Sequence, residues 1–221
     1  VYMSNYLTAV IPVRSGSQRV KNKSFRNFNK KNLLEYKIEK LKKIKLIDQI
    51  VVNTDSNVAI SIAKKLNVSY WRREKYFASS SCSNSEFWQY VAETTESKFI
   101  MFTNCTSPLL KIENYKKIIN KFEKVKKNND SLNTVTEVKE FLCHKNKPIN
   151  FSFNKAPNSQ KLPDIVKLNF AVNILPRKTM IERKSVLGKK PFFYKIDEVE
   201  GFDIDSMLDF KFAENLHKEL F

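Results

Sequence analysis

Short apolar runs alternate along the chain with segments whose apolar residues recur every three or four positions. Leu7 to Val13 is the first such run, of the kind a buried strand shows, and it breaks at the small polar turn Arg14-Ser15-Gly16-Ser17. Leu34, Ile38 and Leu41 then fall on one helix face, Gln49 to Thr54 is a second strand, and Ala59, Ile62, Ala63 and Leu66 mark a second helix. A short strand near Val68 to Trp71, a helix around Ser85 to Thr94 and a strand at Phe99 to Thr103 follow. Tyr115, Ile118, Phe122 and Val125 give another helix, and Ser131 to Val138 another strand. Strands alternating with helices over residues 1–138 predict an α/β core with a parallel-type sheet. Right-handed crossovers would gather the C-terminal ends of its strands, and hence a ligand, along one edge.

The pattern loosens from 139 to 195, where Lys147-Pro148, Ala156-Pro157 and Leu162-Pro163 punctuate it and Ile165 to Leu175 and Phe192 to Ile196 are strand-like. This stretch is expected to be an arm or insertion, either a lid or a dimerisation element. Residues 196–221 then return to the core through an acidic segment and a closing helix, with Leu208, Phe212, Leu216 and Leu220 on its apolar face.

Charge sharpens the picture. The 221 residues carry a formal net charge of +17, which fits a polyanionic partner such as nucleic acid, but only seven of the 40 basic residues are Arg. Abundant Lys, Asn, Ile and Phe also match AT-rich codon usage, which raises charge everywhere without building a site. Distribution therefore says more than the total. Residues 1–34 contain no acidic side chain and 14–31 carry seven basic ones, whereas 197–209 hold Asp197, Glu198, Glu200, Asp203, Asp205 and Asp209. No zinc-finger or RNA-recognition signature accompanies the charge, and the acidic end would repel phosphate, so a nucleic-acid partner is not expected. No apolar run of membrane-spanning length occurs, and the opening residues lack the regions of a signal peptide. Cys82, Cys105 and Cys143 form neither a disulfide framework nor a zinc spacing, which suits a reducing, cytoplasmic setting.

Two segments carry candidate chemistry. Arg14-Ser15-Gly16-Ser17-Gln18-Arg19, backed by Lys21 and Lys23, follows the first strand. It is either a solvated basic loop or a phosphate site, in which Gly16 lets backbone N–H groups approach and Arg14 grips a phosphate in a two-bond fork. It is neither a P-loop nor a dinucleotide fingerprint. The second is Asp203-Ile204-Asp205, whose carboxylates point to one side of an extended segment and would suit Mg²⁺, unless one of them merely caps the last helix. His144 and His217 are too isolated to build a catalytic constellation. Cys105, Trp71 and Trp88 are expected to be packing residues, and Lys116 to Lys127 the wet face of a helix.

In order along the chain, Val10-Ile11-Pro12-Val13-Arg14-Ser15-Gly16-Ser17, Val51-Val52-Asn53-Thr54-Asp55-Ser56, Arg73 with Phe77-Ala78-Ser79, Thr106-Ser107-Pro108-Leu109, Leu162-Pro163 with Asn169, and Asp203-Ile204-Asp205 with Asp209 resemble the acylneuraminate cytidylyltransferases. The resemblance covers nearly the whole chain. It implies a three-layer Rossmann-like nucleotidyltransferase sheet with a small dimerisation arm, a homodimer, and transfer of CMP from CTP to an acidic keto-sugar with Mg²⁺ as cofactor. It implies that Arg14, Lys23 and Asp205 serve the chemistry, that Ser15, Gly16, Ser17, Ser24, Arg73 and Asn84 join Arg14 and Lys23 around the nucleotide, and that Asp203 and Asp205 hold the metal. Asn104, Lys167 and Asn169 fall where the acceptor sugar is bound.

The departures from the family pattern cluster around the acceptor and base. Asn104 replaces a glutamine, Cys105 a proline, Gln18 a lysine, Ser24 an asparagine, Lys167 an arginine and Phe170 a glycine, and Ser80-Ser81 stand for an Asp-Thr pair. The sugar (sialic, legionaminic, pseudaminic or Kdo-like, or a phosphonate acceptor) is thus left open, while the lead arginine and the aspartate pair are kept.

Overall fold

The computed structural model describes residues 5–16 and 19–221. Strand β1 (Asn5–Val13) leads into a tight two-stranded hairpin, β2 (Asn27–Phe28) with β3 (Lys31–Asn32), and then helix α1 (Leu33–Lys42). Asn32 and Glu35 cap one another's backbone at the start of α1, a reciprocal box that fixes where the helix begins. β4 (Gln49–Thr54), α2 (Asn57–Lys65) and β5 (Ser69–Arg72) follow, then the one-turn α3 (Lys75–Ala78) and α4 (Asn84–Glu93), capped by a second such box from Ser83 and Glu86. β6 (Ser97–Phe102), α5 (Ile112–Val125) and β7 (Ser131–Val138) complete the part expected to be the core. Beyond it lie the hairpin β8 (Cys143–His144) with β9 (Lys147–Pro148), the long strand β10 (Ile165–Pro176), α6 (Arg177–Arg183), β11 (Pro191–Lys195) and α7 (Met207–Leu220).

Seven strands form one sheet in the order β11-β7-β10-β6-β1-β4-β5. Side-chain alternation splits β1 between its two faces: Leu7, Ala9, Ile11 and Val13 join the core under α1, α2, α5 and α7, while Val10 points to the smaller core under α4 and α6. Helices on both faces make the three layers that the alternation predicts.

Three sequence expectations are corrected. The sheet is mixed, because β10 runs antiparallel to both β6 and β7 while the other pairs are parallel. Much of the expected arm therefore belongs to the sheet: residues 165–176 run through its middle and 191–195 form its edge, leaving about 139–164 outside. Closing a sheet through an antiparallel strand needs no crossover helix, so the strand–helix rhythm that marks residues 1–138 is absent there. The second correction concerns α7. Leu208 is 78% exposed and Phe212 also faces outward, whereas Phe210, Ala213 and His217 are buried. Their spacing is equally helical, and a stripe containing a histidine is passed over when only apolar residues are counted. Phe210 and His217 both pack edge-on against Phe28. Trp71, expected in the core, is also exposed on the edge strand.

The parallel register places Val13 beside Thr54, and Val10 beside Phe102. The turn after β1, Asp55 after β4 and the Thr103–Ser107 turn after β6 thus meet at one sheet edge.

Candidate active site

At that edge lies a cleft of about 210 Å³ whose walls include Arg14, Arg19, Lys23, Ser24, Asn104 and Thr106. A larger cavity, about 1110 Å³, opens between α1 and α7 and shares none of these residues. Its lysines are interspersed with Glu39, Glu113 and Glu214, whereas Arg14, Arg19 and Lys23 of the smaller cleft lie where the parallel strands end. Gly16 there has φ +76°, which L side chains avoid, and nothing stands within 4 Å of where a Cβ would be. Ser15 donates its N–H to Asp55 at 2.8 Å and its hydroxyl to the same carboxylate, which ties the turn to the end of β4.

The acidic segment is brought to this cleft by a chain of fixed contacts. Glu200 accepts from Lys111 N–H at 3.1 Å and from the Asn114 amide, anchoring the segment to the start of α5. A Cβ on Gly201 would lie 2.5 Å from Thr136 Oγ1 and 2.8 Å from Asn169 Nδ2, so only glycine lets the chain pass so close to the sheet. Ile204 N–H donates to Thr106 O at 3.0 Å, and Ser206 with Asp209 caps α7. Residues 203–205 are not part of a strand; Ile204 is buried in the core, and the carboxylates on either side bond residues of the cleft wall.

Asp205 pairs with Arg19 at 2.7 Å and Lys23 at 3.7 Å, and the Lys23 ammonium also donates to Ile204 O. The basic turn and the aspartate pair therefore face one another, as the sequence predicts. Asp203 accepts from the Thr106 hydroxyl. Burial pushes its carboxyl above the ordinary aspartate range and the neighbouring Asp205 adds to the rise, opposed by the Thr106 hydroxyl and by Lys23 and Lys37. A carboxylate whose charge is disfavoured by burial and by a neighbouring carboxylate belongs to a donor set that a hard divalent cation would relieve. Among the described residues no group of three or more His, Cys, Asp or Glu side chains could hold a metal. A pair of carboxylates is a donor set that fits Mg²⁺, which usually takes one or two protein carboxylates beside phosphate oxygens and water.

The remaining predicted residues divide. Arg73 is only 6% exposed; it donates to Asn53 Oδ1 at 2.8 Å and Asn53 O at 2.7 Å and lies 4.2 Å over the Phe87 ring. Burial lowers its pKa to about 10, with Asp55 opposing and Arg14 contributing to the fall, so Arg73, Asp55 and Arg14 share one neighbourhood. Asn84 is exposed at the first turn of α4. Ser24 is buried and accepts from Cys105 Sγ at 3.4 Å. Asn104 is half-buried in the cleft wall. Lys167 is exposed on β10, and Asn169 is buried with its amide bonded to Thr134, Thr136 and Ala171 N–H across a bulge in that strand. That bulge sets Phe170 at φ +54° and lays its ring against Trp88. Ser17 and Gln18 lie outside the described residues.

Sequence reasoning assigned no role to Arg19, Asp55, Thr106 or Lys37. The acidic run at 197–209 could have pointed to Arg19 as a partner; nothing in the spacing marks Lys37, which sits on the buried face of α1.

An α/β sheet with a cationic turn after its first strand, facing paired carboxylates across the strand C-termini, is the layout of an enzyme that handles nucleoside triphosphates. The comparison with known proteins narrows this class. The cytidylyltransferase family matches residues 8–216, and the chain belongs to it. It is 30% identical to the post-translational flagellin modification protein B of Campylobacter coli, over 96% of this chain and 95% of that one. It is 28% identical to the CMP-N,N'-diacetyllegionaminic acid synthase of Campylobacter jejuni, over 95% of this chain and 94% of that one. Its fold is shared with a CMP:2-keto-3-deoxy-manno-octonic acid synthetase complexed with CTP, at 11% identity and a TM-score of 0.71, covering 97% of this chain and 99% of that one.

Proposed function

We propose that this chain transfers CMP from CTP to the anomeric hydroxyl of a nine-carbon acidic keto-sugar, of the legionaminic, pseudaminic or sialic type, and releases pyrophosphate. The observation that carries the reading is a cleft lined by Arg14, Arg19 and Lys23 whose wall residues bond the aspartate pair, Arg19 and Lys23 to Asp205 and Thr106 to Asp203. The acceptor hydroxyl oxygen bonds to the α-phosphorus as the bond to the bridging oxygen of pyrophosphate breaks, and the hydroxyl proton is released. No covalent enzyme intermediate is required, so rate comes from placement and charge neutralisation.

Arg14 and Lys23 bind and orient the triphosphate, with Gly16 leaving room for close backbone approach. Arg73, fixed by Asn53, supports the nucleotide side, and Asn104 faces the acceptor. Asp203 and Asp205 would hold Mg²⁺, which when bound offsets phosphate charge and polarises the reacting oxygens. Lys23, donating to Ile204 O, keeps the aspartate segment against the basic turn. A sugar carboxylate and a triphosphate are both anions, and the positive field at this end of the molecule favours their encounter.

The protein acts in this reading as a homodimer. The segment outside the sheet supports it: Phe141, Phe151 and Phe153 pack edge to face, yet Phe153 remains 64% exposed and Phe141 is also exposed. The enzyme works in the cytoplasm, in keeping with its free cysteines; among the described residues no helix is long and apolar enough to cross a membrane.

The test is pyrophosphate release by the purified protein with CTP, Mg²⁺ and a panel of acids: legionaminic, pseudaminic, N-acetylneuraminic and Kdo. Release with a nine-carbon acid, and a CMP-sugar of matching mass, is the expected result. CTP binding without turnover on any acid would overturn the reading.

A further inference from the structure

Lys37 is 2% exposed, inside the protein on α1. Its ammonium donates to Ser107 O at 3.2 Å, Thr103 Oγ1 at 3.4 Å and the Tyr115 hydroxyl. Thr103 in turn donates to Ala171 O at 2.6 Å, on β10, and its Oγ1 lies 3.3 Å from the Tyr115 oxygen. One buried cation thus grips both ends of a short turn, Thr103 where β6 stops and Ser107 within the Thr106-Ser107-Pro108-Leu109 segment. The three residues between them, Asn104, Cys105 and Thr106, line the cleft. Thr106 is also the residue to which the aspartate segment is tied, through its hydroxyl to Asp203 and its carbonyl to Ile204 N–H. One turn further along α1, Lys40 continues the grip on Pro108 O at 2.7 Å and Leu110 O at 2.8 Å.

Burying an ammonium is costly, and a well-packed apolar side chain of similar length often serves the fold equally well. Stability therefore gives little reason for a lysine here. Placement of the turn gives a better one, because three directed donors fix a backbone that apolar packing would leave free to shift. Burial lowers the Lys37 pKa to about 8, with Cys105 and Asp203 opposing, so the side chain is still predominantly an ammonium near neutral pH.

We infer that Lys37 is a positioning residue: by pinning Thr103 and Ser107 it sets Asn104 against the acceptor sugar, and so governs acceptor use more than CTP binding. The inference rests on the proposed role of the cleft.

Lys37→Met is the test, read against wild type by steady-state kinetics, thermal unfolding and amide hydrogen exchange. The expected outcome is an intact fold, a ten- to hundredfold loss of kcat/KM for the acceptor with CTP KM within about twofold, and faster exchange at residues 104–106 than in the rest of the sheet edge. Unchanged acceptor kinetics in a folded variant would overturn the inference. So would an equal rise in both KM values with a lowered melting temperature, since that pattern marks a general structural defect. Should Lys37→Met fail to fold, Tyr115→Phe removes one partner of the ammonium while keeping the ring, and it should produce a smaller loss of the same acceptor-selective kind. Should the wild type turn over no acceptor, the functional reading fails, while the exchange measurement still decides whether Lys37 holds the turn.

Discussion

Replacing Asp205 by asparagine separates the site's chemistry from its architecture. The substitution keeps shape and removes one charge. Structurally the loss is small, because Arg19 and Asp205 are largely solvated, at 72% and 48% side-chain exposure. Ion pairs of that kind contribute about 0–1 kcal/mol. For a chain of this size 1 kcal/mol corresponds to about 2–4 °C, so the melting temperature should fall by no more than about 4 °C. The segment is also held independently of the charge, by Ile204 N–H on Thr106 O and by the Ser206–Asp209 cap. Activity should respond very differently. In the proposed reading Asp203 and Asp205 would be the protein's ligands to Mg²⁺, and an amide oxygen cannot hold that ion as a carboxylate does. Losing one preorganised electrostatic contact of this type costs about 3–4 kcal/mol, or roughly 10²–10³ in turnover. The assay is coupled pyrophosphate release at saturating CTP and acceptor, with thermal unfolding alongside. Turnover within a few-fold of wild type would refute the assignment of the aspartate pair, and a collapse in melting temperature would refute the claim that the segment is held by its backbone.

Three further outcomes follow from the same geometry. Arg14 is exposed at the mouth of the cleft, so Arg14→Ala should leave the melting temperature unchanged and raise the CTP KM ten- to a hundredfold, the value of a charged hydrogen bond to phosphate, as read by initial rates. Burial, reinforced by Lys40, lowers the His217 pKa to about 4, so the native state resists a proton that the unfolded chain accepts near pH 6.5. Stability is then fully present above pH 6.5 and declines as pH falls towards 4, by about 2 kcal/mol at pH 5; His217→Phe should flatten that part of a melting-temperature profile. If the exposed phenylalanines of the 139–164 segment join two copies, wild type should sediment at twice the 25.9 kDa chain mass and Phe153→Asp should shift it towards one.

The first 138 residues were legible because each element there signals itself locally. Helix faces repeat at 3.6, strands are short apolar runs, and the strands at 49–54 and 131–138 coincide with those expected. The pairing of β10 was not legible. Its residues Ile165 to Leu175 look like a strand in isolation, but nothing local says that the strand slots between β6 and β7 in the reverse direction. The same limit applies to the site. Charge distribution along the chain predicted that a cationic turn and an acidic segment would meet, which they do through Arg19 and Lys23 on Asp205. The supporting contacts were invisible, because Thr106, Lys37 and Asn53 act through partners 20 to 97 residues away in sequence.

Two of the departures from the acylneuraminate pattern meet in space. Ser24 and Cys105 replace an asparagine and a proline that lie far apart in sequence, yet the Cys105 thiol donates to the Ser24 hydroxyl across the floor of the cleft, both side chains being buried. Burial raises the Cys105 pKa, which keeps it a neutral thiol able to donate this bond. The proline position thereby gains a side-chain contact in place of a ring. Lys37 then pins the same turn from the opposite side. Here the substituted residues bond to one another, and the lead arginine and both aspartates stay in place around them.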